Sequence, residues 1–489
     1  MFGPSELYRP SLALLTDLYE LTMGYAYWKE KMADREAAFH LHVRTNPFNN
    51  GYTIACGLAF AIDYLNNLRF DEDDISYLAQ QTGNDGKPLF DRGYLDYLRD
   101  MRFNCDVHAV PEGTVVFPHE PLVRVTGPII PAQLVESALL NIINFQSLIA
   151  TKAARICIAA QGNPVIEFGL RRAQGIDGAL AAARAAYIGG CTSTSNVLAG
   201  RLYGIPIAGT HAHSWVMCFD TELESFEAYA RALPNNSLFL VDTYDTLEGV
   251  KRAIEVGQRL REKGHDLVGI RLDSGDLAYL SIKARELLDA AGFPQAAIVG
   301  SSDLDEHIIN SLKQEGATIT IWGVGTRLVT GYGQPAIGGV YKLSAMRHPG
   351  GEWQNRVKLS EQAVKVSTPG VQQVRRYTSG GVYVADAIYN EDHPPTAPFT
   401  IVDPTSTTRR KRIEPSWQHA ELLAPVFRGG KLIYESPSLQ DMRTRAQEQL
   451  ARFHDGIKRF ANPHLYPAGL EENLHRLKMK LMLEKENGS

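Results

Sequence analysis

Two imidazoles and a hydroxyl crowd the segment Gly209-Thr210-His211-Ala212-His213-Ser214. A neutral imidazole is one of the few side chains that is nucleophilic near pH 7, so His211 and His213 are candidate bases, metal ligands or nucleophiles. Metal binding is the weakest of the three. His-x-His can chelate zinc, but the chain has neither an HExxH motif nor a CxxC pair to complete a site. Arg171 and Arg172 carry guanidinium forks that match carboxylates and phosphates. In Arg271-Leu272-Asp273-Ser274-Gly275-Asp276 the two carboxylates could orient ribose hydroxyls or a magnesium ion held chiefly by phosphates. They could equally cap a helix opening near Leu277, and Arg271 suits a ligand carboxylate. Gly323-Val324-Gly325-Thr326 and Gly300-Ser301-Ser302 would let backbone N–H groups approach a phosphate, although turn formation explains a lone GxG as well. Asp17-Leu18-Tyr19 reads as a helix start, with Tyr19 in packing.

These residues recur at the ends of short apolar runs, and the runs imply the fold. Pro164–Phe168, Ile205–Ala208, Leu238–Val241, Leu267–Ile270, Ala297–Val299 and Thr318–Ile321 read as strands. They recur every ~25 to 40 residues, the size of a βα unit, which predicts a parallel sheet. Helix signals lie between them, in Ala179–Ala186 before Gly189-Gly190 and from Thr246 to the Lys263-Gly264 stop. All six runs end in polar or glycine-rich sequence, including Asp242-Thr243-Tyr244-Asp245-Thr246 after Val241. That pattern favours a barrel with an active top face over an open sheet with one switch point.

The flanks read differently. A helix is expected over Thr16–Lys31 and strands over Ala38–Val43, Val107–Val110, Val115–Phe117 and Leu122–Val125, with the proline- and glycine-rich Val107–Pro131 forming a small antiparallel layer. After residue 345 come strand-like Val371–Tyr377 and Gly381–Val384, then a basic helical end, Leu474–Lys485. The expected class is α/β, with an N-terminal part over 1–135, a barrel over 136–345 and a C-terminal segment over 346–489 that packs with the first.

Composition narrows the function. The 489 residues, 44% hydrophobic and 21% charged, suit a soluble globular protein. A net charge of −5 argues against a nucleic-acid binder but not against anionic small ligands. Five scattered cysteines without a CxxC pair fit a reducing cytoplasm. Met1–Leu12 lacks the basic and apolar regions of a signal peptide, and no apolar run approaches the ~20 residues of a membrane span.

Taken in order, Leu14–Tyr19, Asn46-Pro47-Phe48, Glu167–Gly175, Gly209–Ser214, Val241–Thr246, Arg271–Asp276, Gly323–Thr326 and Gly338–Leu343 make the chain resemble the nicotinate phosphoribosyltransferases, over nearly its whole length. The resemblance implies a type II phosphoribosyltransferase fold, an irregular TIM-like α/β barrel beside an α/β domain contributed by both chain ends. It implies transfer of phosphoribose from phosphoribosyl pyrophosphate to nicotinate, coupled to ATP hydrolysis through a phosphohistidine matching His213, with Mg2+ accompanying both phosphorylated substrates. Nicotinate contacts match Tyr19, Thr210 and Arg271, with Arg171 a further candidate. A phosphoribosyl-phosphate contact matches Thr326, and the loops with Ser301, Ser302, Gly323 and Gly325 are the expected phosphate cradle. Asp242 or Asp273 is expected to orient the His213 imidazole. A homodimer with shared active sites is implied, Tyr19 reaching the neighbouring subunit, and neither nucleic acid nor membrane is an expected partner. The sequence departs from the family pattern at Thr45 and at Asn49-Asn50, which replace a commoner basic residue and a Gly-Gly pair. The rival readings are a nicotinamide or quinolinate phosphoribosyltransferase and a metabolite-binding barrel without turnover. A Schiff-base lyase is disfavoured because none of the strand ends after Glu167 begins with a lysine.

Overall fold

The computed structural model describes residues 11–487. Residues 1–10, most of the segment in which no signal peptide is expected, lie outside it. The chain forms two compact units, Met1–Leu148 with Ala336–Ser489, and Ile149–Pro335.

The second unit holds a six-stranded parallel sheet. Its order is Ser193–Thr194, Val165–Glu167, Ile321–Val324, Ala297–Gly300, Gly269–Leu272 and Leu238–Leu240. Successive strands are joined by helices such as Thr246–Arg261, Leu277–Ala290 and Glu306–Gln314, the crossovers that a parallel sheet requires. Val165, Phe239, Leu240, Ile270, Ile298, Trp322 and Val324 are buried, as strands covered on both faces should be. Polar groups fix the ends of the helices. Asp245, Asp276 and Asp305 each accept backbone N–H bonds at a helix start.

The expected strand Leu267–Ile270 lies two residues further on, at Gly269–Leu272, and two others differ more. Ile205–Ala208 is not a strand; it makes one isolated parallel bridge, Ile207 to Thr194, and so extends the sheet past its Ser193–Thr194 edge. Thr318–Ile321 begins three residues too early, since the strand is Ile321–Val324. Thr318 is instead tied to Ser281 on the neighbouring helix, its N–H donating at 3.1 Å and its hydroxyl at 2.6 Å.

In the first unit, both chain ends share one antiparallel sheet of seven strands. Glu36–Val43 lies between Gly339–Arg347 and Pro121–Pro128, and Asp106–Ala109 lies between Pro121–Pro128 and Ala424–Arg428. The expected antiparallel layer is present, and the C-terminal segment is built into it. A second sheet of six strands has Ser406–Ile413 as one edge, where Thr407 to Arg412 are all exposed. One core cluster runs from Leu21 and Leu41 through Val125 and Ile130 to Leu470 and Leu474. The Asn49-Asn50 departure has a local explanation. Asn49 sits at φ 50, where asparagine is the best substitute for glycine, whereas Asn50 is extended at φ −78 and donates its amide to the Tyr52 carbonyl at 3.0 Å.

One helical stretch, Ile129–Ala159, contains 18 residues with a mean hydropathy of 1.3, apolar enough by length and composition to cross a membrane. Of those residues 61% are buried inside the protein, as in the core helix of a globular protein.

Candidate functional site

Arg271 is the hub of the polar residues at the strand ends of the second unit. It sits in the strand Gly269–Leu272 and donates through Nε to Ser301 Oγ at 2.8 Å, through Nη1 to Thr210 Oγ1 at 3.1 Å and through Nη2 to Asp273 Oδ1 at 2.6 Å. Parallel pairing brings Arg271 opposite Val299 on one side and Leu240 on the other, which sets the loops after those strands beside it. Its guanidinium carbon also lies 5.4 Å from the centre of the Phe168 ring. Three of the five guanidinium N–H donors are thereby used, and two are left for a ligand.

Asp273 joins this hub to His213. Burial would raise the Asp273 carboxyl, but the Ser301 hydroxyl and the Arg271 guanidinium outweigh it and hold the group below its ordinary range, as a carboxylate. Its other oxygen, Oδ2, stands 3.9 Å from His213 Nε2. His213 opens the short helix His213–Met217, and its Nδ1 lies 3.1 Å from Thr243 Oγ1. Of the two carboxylates expected to orient the imidazole, only Asp273 approaches it. Asp242 acts one step further out: its Oδ2 accepts the Asp273 N–H at 2.8 Å and the Ser274 hydroxyl at 2.7 Å, while its Oδ1 is buried without a hydrogen-bond partner. Thr243 is the direct partner that sequence reasoning missed, although it stands in the motif Val241–Thr246.

The glycine loop is also shaped by a neighbouring ring. A Cβ on Gly323 would meet the Phe168 ring at 2.6 Å, and one on Gly325 would meet the Phe168 carbonyl at 3.1 Å. Both glycines make room for Phe168, whose N–H donates to Val324 at 2.8 Å. Thr326 begins the helical turn that follows, and Ser302, exposed, is held at φ 111, a conformation rare outside glycine. Ser301 is buried against Asp273 and Arg271.

The remaining candidates take no part in the Arg271 hydrogen bonds. Arg171 and Arg172 lie in an exposed turn, Leu170–Arg172, with no ion pair or hydrogen-bonded acceptor for their guanidinium groups among the described residues. Asp276 caps the helix Leu277–Ala290, accepting the Tyr279 N–H at 3.0 Å, so the capping reading is realised. Tyr19 belongs to the first unit, on the helix Leu18–Lys29, where it is 45% exposed. Burial, with Glu136 and Glu20 nearby, pushes its phenol up, so it stays protonated.

Residues 14–144 match the nicotinate phosphoribosyltransferase N-terminal domain, residues 164–354 the nicotinate phosphoribosyltransferase family, and residues 372–478 the corresponding C-terminal domain. A nicotinate phosphoribosyltransferase of Bacillus subtilis is 42% identical over 481 residues, spanning 97% of this chain and 96% of the relative. A protein of the same name from Caenorhabditis elegans is 34% identical, spanning 99% and 95%. The crystal structure of human nicotinic acid phosphoribosyltransferase superposes with a TM-score of 0.83 at 32% identity, covering 95% of this chain and 99% of that one. With the full length matched in this way, the chain belongs to the nicotinate phosphoribosyltransferase family of enzymes.

Proposed function

We propose that the chain joins nicotinate to phosphoribosyl pyrophosphate in NAD salvage, and that ATP hydrolysis is coupled to this transfer through His213. The observation that carries the reading is the Arg271 fork, fixed by Ser301, Thr210 and Asp273 with two N–H donors to spare beside the Phe168 ring. A flat ring bearing one carboxylate matches that arrangement better than an amide, which offers no charge to the guanidinium.

In the transfer, the pyridine nitrogen supplies the electron pair for the new bond to the ribose anomeric carbon. The bond from that carbon to the pyrophosphate oxygen breaks, and the pyrophosphate leaves with its electron pair. Negative charge grows on the leaving group, and the Ser301–Ser302 and Gly323–Thr326 loops are the groups we assign to it, with Arg171 kept as a further nicotinate contact. In the ATP step the His213 imidazole attacks the γ-phosphorus, an N–P bond forms, and ADP departs; water later hydrolyses that bond to release phosphate. Thr243 fits the role of orienting the imidazole by accepting its Nδ1–H, which leaves the Nε2 lone pair for attack.

The unpartnered Oδ1 of Asp242 and the carboxylate of Asp273 suit a hard cation. Bound there, Mg2+ would neutralise phosphate charge. The two carboxylates alone are too few for a full coordination shell, consistent with an ion held mainly by substrate phosphates. Exposed Val197, Leu198 and Leu202, adjoined by Ile207, offer an apolar surface for a second copy, whose Tyr19 would complete the nicotinate site. Five free thiols support a cytoplasmic setting.

Incubation with γ-labelled ATP tests the coupling. The wild type is expected to carry an acid-labile, base-stable label, and His213→Ala none, with slow ATP-independent transfer retained. An unchanged ATPase activity in His213→Ala refutes the assignment.

A further inference from the structure

The parallel sheet has two ends that no backbone pairing joins among the described residues. At one end Leu238–Leu240 pairs only with Gly269–Leu272. At the other, the segment through Ile207 pairs only with Thr194. His211 crosses the gap. It follows that segment by four residues, and its Nε2 accepts the backbone N–H of Leu240 at 3.2 Å. Accepting there puts the ring proton on Nδ1, which faces the Ala212 carbonyl at 3.4 Å.

The bond is protected on all sides. His211 is only 8% exposed, and its ring lies 5.0 Å from that of Tyr229, 6.1 Å from Phe226 and 6.3 Å from Phe239, centre to centre. Burial, aided by the Arg271 guanidinium and only partly offset by the Ala212 carbonyl, favours the neutral imidazole, with a pKa lowered to about 4. The backbone carbonyl of the same residue accepts the Thr210 hydroxyl at 3.1 Å, and that hydroxyl in turn accepts from Arg271 at 3.1 Å. One residue therefore ties the loose edge of Leu238–Leu240 to the Arg271 hub.

We propose that His211 is a positioning residue whose imidazole staples the two ends of the parallel sheet and so fixes Thr210 against Arg271 for nicotinate binding. The inference rests on the reading that Thr210 and Arg271 receive nicotinate. It assigns the second imidazole of the Gly209–Ser214 segment a role that involves neither phosphoryl transfer nor a metal.

The test compares His211→Phe, which keeps an aromatic ring in the cage but offers no acceptor, with His211→Gln, which restores one at similar reach. Steady-state transfer is measured without ATP, so the outcome does not depend on His213 phosphorylation, and amide exchange is followed over residues 238–241. His211→Phe is expected to raise the nicotinate KM about tenfold, the effect of one buried donor left unsatisfied. The KM for phosphoribosyl pyrophosphate stays within about twofold, and exchange at Leu240 quickens about tenfold, as the same lost bond implies. His211→Gln returns both readouts towards wild type. A wild-type KM in His211→Phe, equal losses in both variants, or a parallel rise in both KM values overturns the proposal. Should His211→Phe fail to fold, wild-type exchange decides: a Leu240 amide as fast as an exposed loop overturns it. Thr210→Val separates the underlying reading. An unchanged nicotinate KM there removes Thr210 from the nicotinate site and with it the functional half of the proposal, and the exchange data still accept or reject the staple.

Discussion

Substituting Gly323 by alanine distinguishes a glycine kept for phosphate from a glycine kept for a ring. The strand backbone accepts alanine at this position, so the only obstacle is space. The added methyl would lie 2.6 Å from one Phe168 ring carbon and 2.7 Å from the next. Ordinary carbon contacts are about 3.5 to 4.0 Å, so the ring must retreat by about 1 Å. Overpacking of this kind costs about 1–3 kcal/mol of stability. The retreat also moves the ring that lies 5.4 Å from the Arg271 guanidinium, whose bonds to Thr210 and Asp273 depend on its position. Loss of one charge-assisted bond is worth about 1.5–3 kcal/mol, which is roughly ten- to a hundredfold in kcat/KM for nicotinate. The assay is steady-state kinetics with each substrate varied in turn, together with thermal unfolding, for Gly323→Ala, Phe168→Leu and the double variant. In the double variant the smaller leucine side chain should absorb much of the clash, giving a coupling energy of about 1 kcal/mol or more. If Gly323→Ala instead raises only the KM for phosphoribosyl pyrophosphate, and Phe168→Leu brings no relief, the ring argument is wrong.

Three further outcomes are expected. Thr243→Val should reduce formation of the acid-labile label several-fold, about the worth of one hydrogen bond, and leave ATP-independent transfer near wild type; equal loss of both would show that Thr243 does more than orient His213. Asp276→Ala should cost about 1 kcal/mol in urea unfolding, as the loss of a helix cap, with kcat unchanged; a collapse of kcat at retained stability would return Asp276 to the list of substrate contacts. His119 is buried, and burial, with Lys478 and to a smaller extent Arg44, outweighs the opposing Asp403 carboxylate and lowers its pKa from 6.5 to about 4. Between those values the unfolded chain binds a proton that the folded one does not, so stability falls as pH falls, by about 1.4 kcal/mol per unit for this one group. His119→Asn, which tolerates the φ of 69 at this position, should flatten the pH dependence of unfolding by that amount, and an unaltered slope between pH 4 and 6.5 refutes it.

Much of the fold was legible because the hydrophobic runs are local. Leu238–Leu240 and Ala297–Gly300 lie within a residue of their expected limits, and the helices Ile176–Ile188 and Thr246–Arg261 end within two residues of their expected stops. What failed depended on neighbours distant in sequence. Ile205–Ala208 has the composition of a strand, but only Ile207 finds a partner; Thr318 is claimed by Ser281 before it can pair. The site shows the same division. Arg271, Asp273 and the pair His211 and His213 could be named from residue type and position, whereas Thr210 and the choice of His213 came with the resemblance. The Thr243 contact with His213 and the Phe168 ring over Gly323 and beside Arg271 follow from strand order, with Val165–Glu167 next to Ile321–Val324, and no local pattern reports that order.

The strand Ser406–Ile413 ends its sheet with open backbone donors and acceptors along one side, and Arg409-Arg410-Lys411-Arg412 falls within it. An incoming strand of the same sequence would have to lay four cations against four. Self-templated stacking along that edge, the first step towards a fibril, is opposed by charge at every position from Arg409 to Arg412. Neutralising the run should therefore reveal itself as turbidity on storage at low ionic strength while turnover stays the same.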